Sequence, residues 1–226
     1  MFKTDHLYLH EEVLLLALHD EAGKIQGGWF NYAMGGAILA ELLLAGRVTI
    51  ETVKKKKLLA MDRTSMIGEQ ILDECLLRVQ QSKRRATLAT WVTRFSSLRK
   101  LRERTADRLC LRGILQRREG RVLLVFSRML YPTVDPRAEQ ALVERMRQAI
   151  FEDGEVDVRT AAVTTIAFQT GLLRNVFKAR ELRSRKTRLN NLPMPSEIEL
   201  AIQEAVAAAK SAMAAASTAA VMAATG

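Results

Sequence analysis

Residues 96–129 read SSLRKLRERTADRLCLRGILQRREGRVLLVFSRM, and their pattern divides into two parts. The first predicts a helix that ends at Gly113. The second, from Ile114, predicts two strands joined at Glu119-Gly120. From Arg94 to Arg128 ten Arg and one Lys face three acidic residues, a net charge of +8 against +10 for the whole chain. In the middle of this basic block stands an apolar run, Val122-Leu123-Leu124-Val125-Phe126. Arginine at this density implies an anionic partner, and arginine beside an apolar hairpin points toward a membrane surface.

On the N-terminal side, Leu7 to Leu18 is apolar almost without interruption, which predicts a buried helix with Glu11 and Glu12 near its start. A second helix is expected over Asn31 to Ala45, closed by Gly46. Gly35-Gly36 inside it costs roughly 1.5–2 kcal/mol of helix propensity against alanine, so close packing is expected there, with close approach of a ligand as the other reading. Arg47 to Val53 alternates and reads as a strand, Leu58 to Met61 as its partner, and Lys54 to Lys57 as the turn between them. A helix follows over Ser65 to Gln80, then a short one over Leu88 to Phe95 carrying Trp91.

On the C-terminal side, Pro132 and Pro136 end the hairpin. Helices are expected up to Phe151 and from Asp157, the latter apolar nearly all round and therefore central. Arg174 to Arg188 is a further basic segment. Ser196-Glu197 opens a last helix to about Ala223, whose alanine suits a helix better than a core. The expected fold is mainly α, a single helical domain over residues 1–226 with small β-hairpins. Its core runs over about 5–205 and an Ala-rich helix or tail over 206–226, and one hairpin protrudes as a membrane-contact element.

Chemistry is sparse. No Gly-rich phosphate loop is present, and His6, His10 and His19 have no nucleophile at a telling spacing. Two cysteines and three histidines cannot make a zinc site of usual spacing, and Cys75 and Cys110 read as small buried hydrophobes. No enzyme activity, cofactor or metal is expected. Nor is a signal peptide or membrane span, and the reading is a cytoplasmic protein that meets a membrane from outside. On a helix, Arg99 and Arg102 lie on one face and Arg104 and Arg108 on a neighbouring one. The guanidinium fork suits bidentate phosphate contacts. The competing reading is an ordinary basic surface with Glu103 and Asp107 as partners. The hairpin's basic residues, Arg117, Arg118 and Arg121, suit lipid headgroups, and its second strand, apolar on both faces from Val122 to Phe126, suits the acyl boundary.

EEVLLLALHDEAGKI (11–25), GGAILAELLLAGRV (35–48), LRKLRERTADRLCLRGIL (98–115) and VLLVFSRMLYP (122–132) together resemble the Golgi phosphoprotein 3 family. The resemblance implies a cytosolic, mainly helical protein that binds phosphatidylinositol 4-phosphate on the cytosolic face of a membrane. It places the lipid phosphate on Arg99 and Arg102, with Trp29 completing the pocket, and makes the hairpin over Gln116 to Phe126 the inserting element. The family's pocket arginine in the second helix falls at Gly35 and is missing. One lost charge-assisted phosphate bond is worth about 1.5–3 kcal/mol. The chain begins almost at the folded domain, as in a short bacterial-type member, so coat binding and Golgi sorting are not expected to carry over. Two other readings stand beside this one. A basic helix followed by a basic hairpin also describes a winged helix on nucleic acid, but a DNA-facing wing has no need of Val122 to Phe126, so no nucleic acid is expected. Hairpin edges could also pair between two copies in a homo-oligomer.

Overall fold

The computed structural model describes residues 6–18, 30–122 and 126–225. The expected class holds: helices form the domain, and each of two β-ladders has two antiparallel strands. At the centre is α1 (Leu9–Leu18), whose ten residues are all buried. It packs against α2 (Phe30–Leu44), α5 (Leu101–Leu111), α6 (Arg137–Phe151) and α7 (Val158–Gln169). Its leucines have apolar neighbours on every side, which is why the sequence shows a run and not a stripe.

Burying α1 also buries Glu11 and Glu12, and α2 buries Glu41. Each carboxylate is held by arginine from another helix. Glu11 Oε1 accepts from Arg108 Nε at 2.8 Å and its Oε2 from Arg112 Nη1 at 3.2 Å, while the same Oε2 accepts from Tyr8 N at 2.9 Å. Glu12 Oε1 accepts from Arg145 Nη2 at 2.6 Å. Glu41 takes both nitrogens of the Arg159 fork, at 2.8 and 2.6 Å, and also the Leu9 amide at 2.8 Å. Buried charges persist when paired and hydrogen-bonded, so these pairs fix how α5, α6 and α7 sit on α1 and α2.

Glu12 is the least satisfied of the three, because its Oε2 has no hydrogen-bond partner among the described residues. Burial is the main cause that pushes its carboxyl up to about 7, opposed by Arg145 and Arg159 and reinforced by Glu41. The folded value lies above the ordinary 4.5, so between the two the native state holds more protons than the unfolded chain. The contribution is therefore fully present below about 4.5 and is lost as pH rises through about 7. In urea titrations across that range, the parent should lose about 3 kcal/mol relative to Glu12→Gln as pH rises. A parent-to-variant difference that stays flat with pH would mean that the carboxylate is ionised throughout.

The two glycines of α2 face different neighbours. A Cβ at Gly35 would lie 2.7 Å from the Val92 carbonyl oxygen of α4 (Leu88–Ser96), and one at Gly36 would lie 2.2 Å from Ala205 Cβ of α10 (Ser196–Thr225). Close helix packing is thus what they serve. It also corrects the expectation that an Ala-rich last helix makes a poor core: Ile198, Ala201, Ile202, Ala205, Val206 and Ala209 are all buried. Alanine is what the short distance to α2 admits. Of the cysteines, Cys75 is buried as expected, whereas Cys110 is half-buried.

The first hairpin pairs β1 (Val48–Val53) with β2 (Lys56–Met61). The four-lysine turn proves to be two residues, Lys54 and Lys55, with Lys56 and Lys57 already in the strand. Both turn residues have left-handed φ, 46° and 65°, which suits a twisted hairpin but costs a side-chain-bearing residue about 1–2 kcal/mol each. Next comes α3 (Gln70–Gln80), which starts later than expected because Glu69 caps it by accepting from Leu72 N at 2.7 Å.

The short helix expected over Leu88 to Phe95 and the helix expected from Ser96 to Gly113 are both present, but the second starts five residues later than expected. α4 ends at Ser96, residues 97–100 form a turn, and α5 begins at Leu101. Lys100, with φ 54°, makes the bend. The break turns both Leu98 and Leu101 into the core, where each is under 5% exposed. The expected glycine stop is confirmed by the left-handed φ of 74° at Gly113.

The second hairpin pairs β3 (Arg118–Val122) with β4 (Phe126–Leu130). This moves the expected turn. Glu119 and Gly120 lie inside β3, opposite Met129 and Arg128, and the ladder ends at the pair Val122 and Phe126. The apolar run is therefore not one strand: Val122 ends the first strand and Phe126 begins the second. Leu123, Leu124 and Val125 lie outside the described residues. Among the described residues no helix is long and apolar enough to cross a membrane.

Candidate functional site

Three arginines of the basic block, Arg104, Arg108 and Arg112, are engaged with carboxylates of other helices. Arg104 pairs with Glu74 at 2.7 Å. Arg108 pairs with Glu11, lies 3.8 Å from Glu69, and sits over the Tyr8 ring at 5.3 Å. Arg112 joins Glu11 and the His6 carbonyl. This corrects the reading of a basic surface partnered by Glu103 and Asp107. The partners are Glu11, Glu69 and Glu74, on α1 and beside or within α3, and the work of these arginines is to clamp α5 to the core.

Two other arginines, Arg99 and Arg102, lie at the junction of α4 and α5. Arg99 is exposed, in the turn and not on a helix face, and makes no ion pair with another described residue. Lys100 is also exposed, and no side chain caps the start of α5. Arg102, in the first turn of α5, is half-buried. Its Nε donates to Asn31 Oδ1 at 2.6 Å, and its guanidinium lies 5.2 Å from the centre of the Phe30 ring. Burial presses its pKa below the ordinary value, with Glu103 opposing. An arginine remains charged at neutral pH regardless. The result is a held cation next to a mobile-length one at an uncapped helix start, where backbone N–H groups favour anions.

Trp29 lies outside the described residues. The two residues after it, Phe30 and Asn31, are the ones that meet Arg102, and sequence reasoning did not single them out. Their signal was adjacency: in WFNY the candidate tryptophan is followed at once by an aromatic and an amide. Gly35, where the resemblance placed a further arginine, has its Cβ position against the Val92 carbonyl and cannot carry a side chain without moving α4.

The hairpin leaves α5 in a definite direction. Arg117 lies 3.8 Å from Asp107, and Tyr131 donates to the same carboxylate at 3.4 Å. Burial is the main cause that pushes the Tyr131 hydroxyl up to about 12, with Asp107, and more weakly Glu103, adding to it. The chain after Gly113 therefore runs back beside α5 toward the end that carries Arg102. Arg117 also donates to Met129 Sδ at 3.2 Å, and Arg118 to Gln116 Oε1 at 3.1 Å. The register puts Arg118 at the foot of the ladder opposite Leu130, and Arg121 one step from its far end, opposite Ser127. Of the cations expected at the hairpin tip, Arg117 and Arg118 are thus at its base.

The family model described as Golgi phosphoprotein 3 (GPP34) matches residues 9–222. Vacuolar protein sorting-associated protein 74 of Schizosaccharomyces pombe is 29% identical over 164 residues, covering 64% of this chain and 48% of that protein. The chain thus spans about half the length of this curated relative. Neither name describes an enzyme.

Proposed function

The chain belongs to the Golgi phosphoprotein 3 family, and from that premise we propose that it is a peripheral membrane protein. In this reading it binds phosphatidylinositol 4-phosphate or a related anionic lipid from the cytosolic face. Arg99 and Arg102 hold the phosphate, and Trp29 lies beside them. The second hairpin enters the interface. Val122 to Phe126 contact the acyl boundary while Arg121, with Arg117 and Arg118 nearer the base, contributes charge.

The observation that carries the proposal is the arrangement at the start of α5. Arg102 is held by Asn31 and Phe30 while Arg99 and Lys100 stand exposed beside it. The neighbouring arginines are spent on internal carboxylates, so these cations are set apart from them. A second point supports the hairpin's part. The residues between the last ladder pair are Leu-Leu-Val, with none of the usual turn formers among them. An apolar connection has little reason to face water and good reason to face lipid.

The test is flotation with phosphatidylcholine vesicles, with and without phosphatidylinositol 4-phosphate. Arg99→Ala plus Arg102→Ala should weaken vesicle binding about ten-fold or more, the equivalent of one or two charge-assisted bonds, with thermal unfolding monitored because Arg102 also contacts α2. Vesicle binding that survives the double substitution would misplace the site. Steeply salt-dependent binding to duplex DNA without vesicle binding would replace the reading.

A further inference from the structure

A second cluster of cations surrounds a cavity of about 740 Å³ at the other basic segment, residues 174–188. That segment divides as the first one did. Arg185 donates to the Phe151 carbonyl at 2.9 Å and Arg188 to the Ala149 carbonyl at 2.7 Å, so both are structural. Arg174, Arg183, Lys186 and Lys210 line the cavity instead. They come from four different elements: a 3-10 turn (Leu172–Asn175), α8 (Ala179–Ser184), α9 (Lys186–Asn190) and α10. All four are exposed, and among the described residues no Asp or Glu lines the cavity with them.

Four like charges gathered on one concavity repel one another, and an anion placed among them relieves that repulsion. The carbonyl end of α7 also borders the cavity, but two of its last carbonyls are occupied. Ile166 O accepts from Thr170 N and Oγ1, and Phe168 O accepts from Gly171 N. The floor is apolar, made by Leu173, Leu182 and Val206, each under 7% exposed. The volume is that of a small-molecule site, in the general range of about 300–1,000 Å³, and not of a surface for a folded partner.

We propose that this cavity binds a single-chain amphiphile, with its phosphate-type head among Arg174, Arg183, Lys186 and Lys210 and its acyl chain on the floor of Leu173, Leu182 and Val206. Charge alone would suit inorganic phosphate. The apolar floor is what selects an alkyl-chain phosphate over a free one. The site is separate from the start of α5 and does not depend on the reading of Arg99 and Arg102.

Calorimetric titration of the full chain with decyl phosphate below its micelle concentration tests this, with inorganic phosphate and decanol as the two half-ligands. Saturable one-to-one binding is expected, at least about ten-fold tighter than either half-ligand, since each supplies only one of the two contacts. Arg183→Ala plus Lys186→Ala should weaken it about ten-fold or more. Ala179→Trp, at an exposed position on the lining, should obstruct it with thermal unfolding unchanged. Arg99→Ala plus Arg102→Ala should leave it intact. The proposal is overturned if inorganic phosphate binds as tightly as decyl phosphate, if the Arg183 and Lys186 substitutions leave affinity unchanged, if the Arg99 and Arg102 substitutions abolish it, or if no saturable binding occurs.

Discussion

Glu41→Ala is expected to destabilise the protein by about 3–5 kcal/mol, the usual result of removing one partner of a buried ion pair. Glu41 is 3% exposed and accepts three hydrogen bonds, two from the Arg159 fork and one from the Leu9 amide at the start of α1. The substitution leaves the amide without an acceptor and the guanidinium without a counter-charge. Arg159 is about a quarter exposed, so water recovers part of its solvation, and the lower half of the range applies to this side. Arg159→Ala leaves the carboxylate buried without its counter-charge and with only the Leu9 amide of its three donors, which should cost at least as much. Removing both together should cost clearly less than the sum, because the second loss no longer strands a charge. Urea unfolding of the two single variants and the double variant measures this. A Glu41→Ala cost below about 1 kcal/mol, or strict additivity, would show that the pair does not couple α2 to α7.

These pairs also mark where the sequence stops being readable. The leucine run of α1 announces burial, and the helices of residues 88–96, 137–151 and 158–169 were legible from periodicity and caps. Nothing local says that Glu11 will meet Arg108, or Glu12 Arg145, because such pairs join elements that only the tertiary fold brings together. Reading charge by sequence proximity assigned Glu103 and Asp107 as the partners and so took clamping arginines for surface ones. The late start of α5 was hidden for a different reason. No glycine or proline marks residues 97–100, and the backbone bends at Lys100, a residue that rarely takes a left-handed φ. The hairpin turn went wrong through the opposite error. Glu119-Gly120 carries the local turn signal, but the register places it in a strand and ends the ladder at Val122 and Phe126. Arg99 and Arg102 were picked out by family resemblance. Their setting against Phe30 and Asn31 depends on α2, some seventy residues earlier, and was not readable.

Gly36→Ala should cost about 3 kcal/mol, although alanine is the better helix former by roughly 1 kcal/mol. The added Cβ would lie 2.2 Å from Ala205 Cβ, far inside van der Waals contact. That atom belongs to a buried helix and not to the free end of a flexible side chain. Either α2 or α10 must therefore move, and the first part of α10 is held by the buried Ile198, Ala201, Ile202 and Val206. The clash has a specific remedy. Ala205→Gly alone should cost about 1 kcal/mol through helix propensity, yet in the Gly36→Ala background it should restore most of the loss by exchanging which helix supplies the methyl group. Urea unfolding of the four-member cycle gives the coupling directly. A coupling near zero would mean that the helices separate easily and that Gly36 does not set their distance. The same reasoning bears on Gly35, where the added atom would meet a backbone carbonyl that no side-chain substitution can remove. Restoring an arginine there would part α2 from α4 and displace Asn31 and Phe30 from Arg102, so it should weaken the very site it was meant to complete.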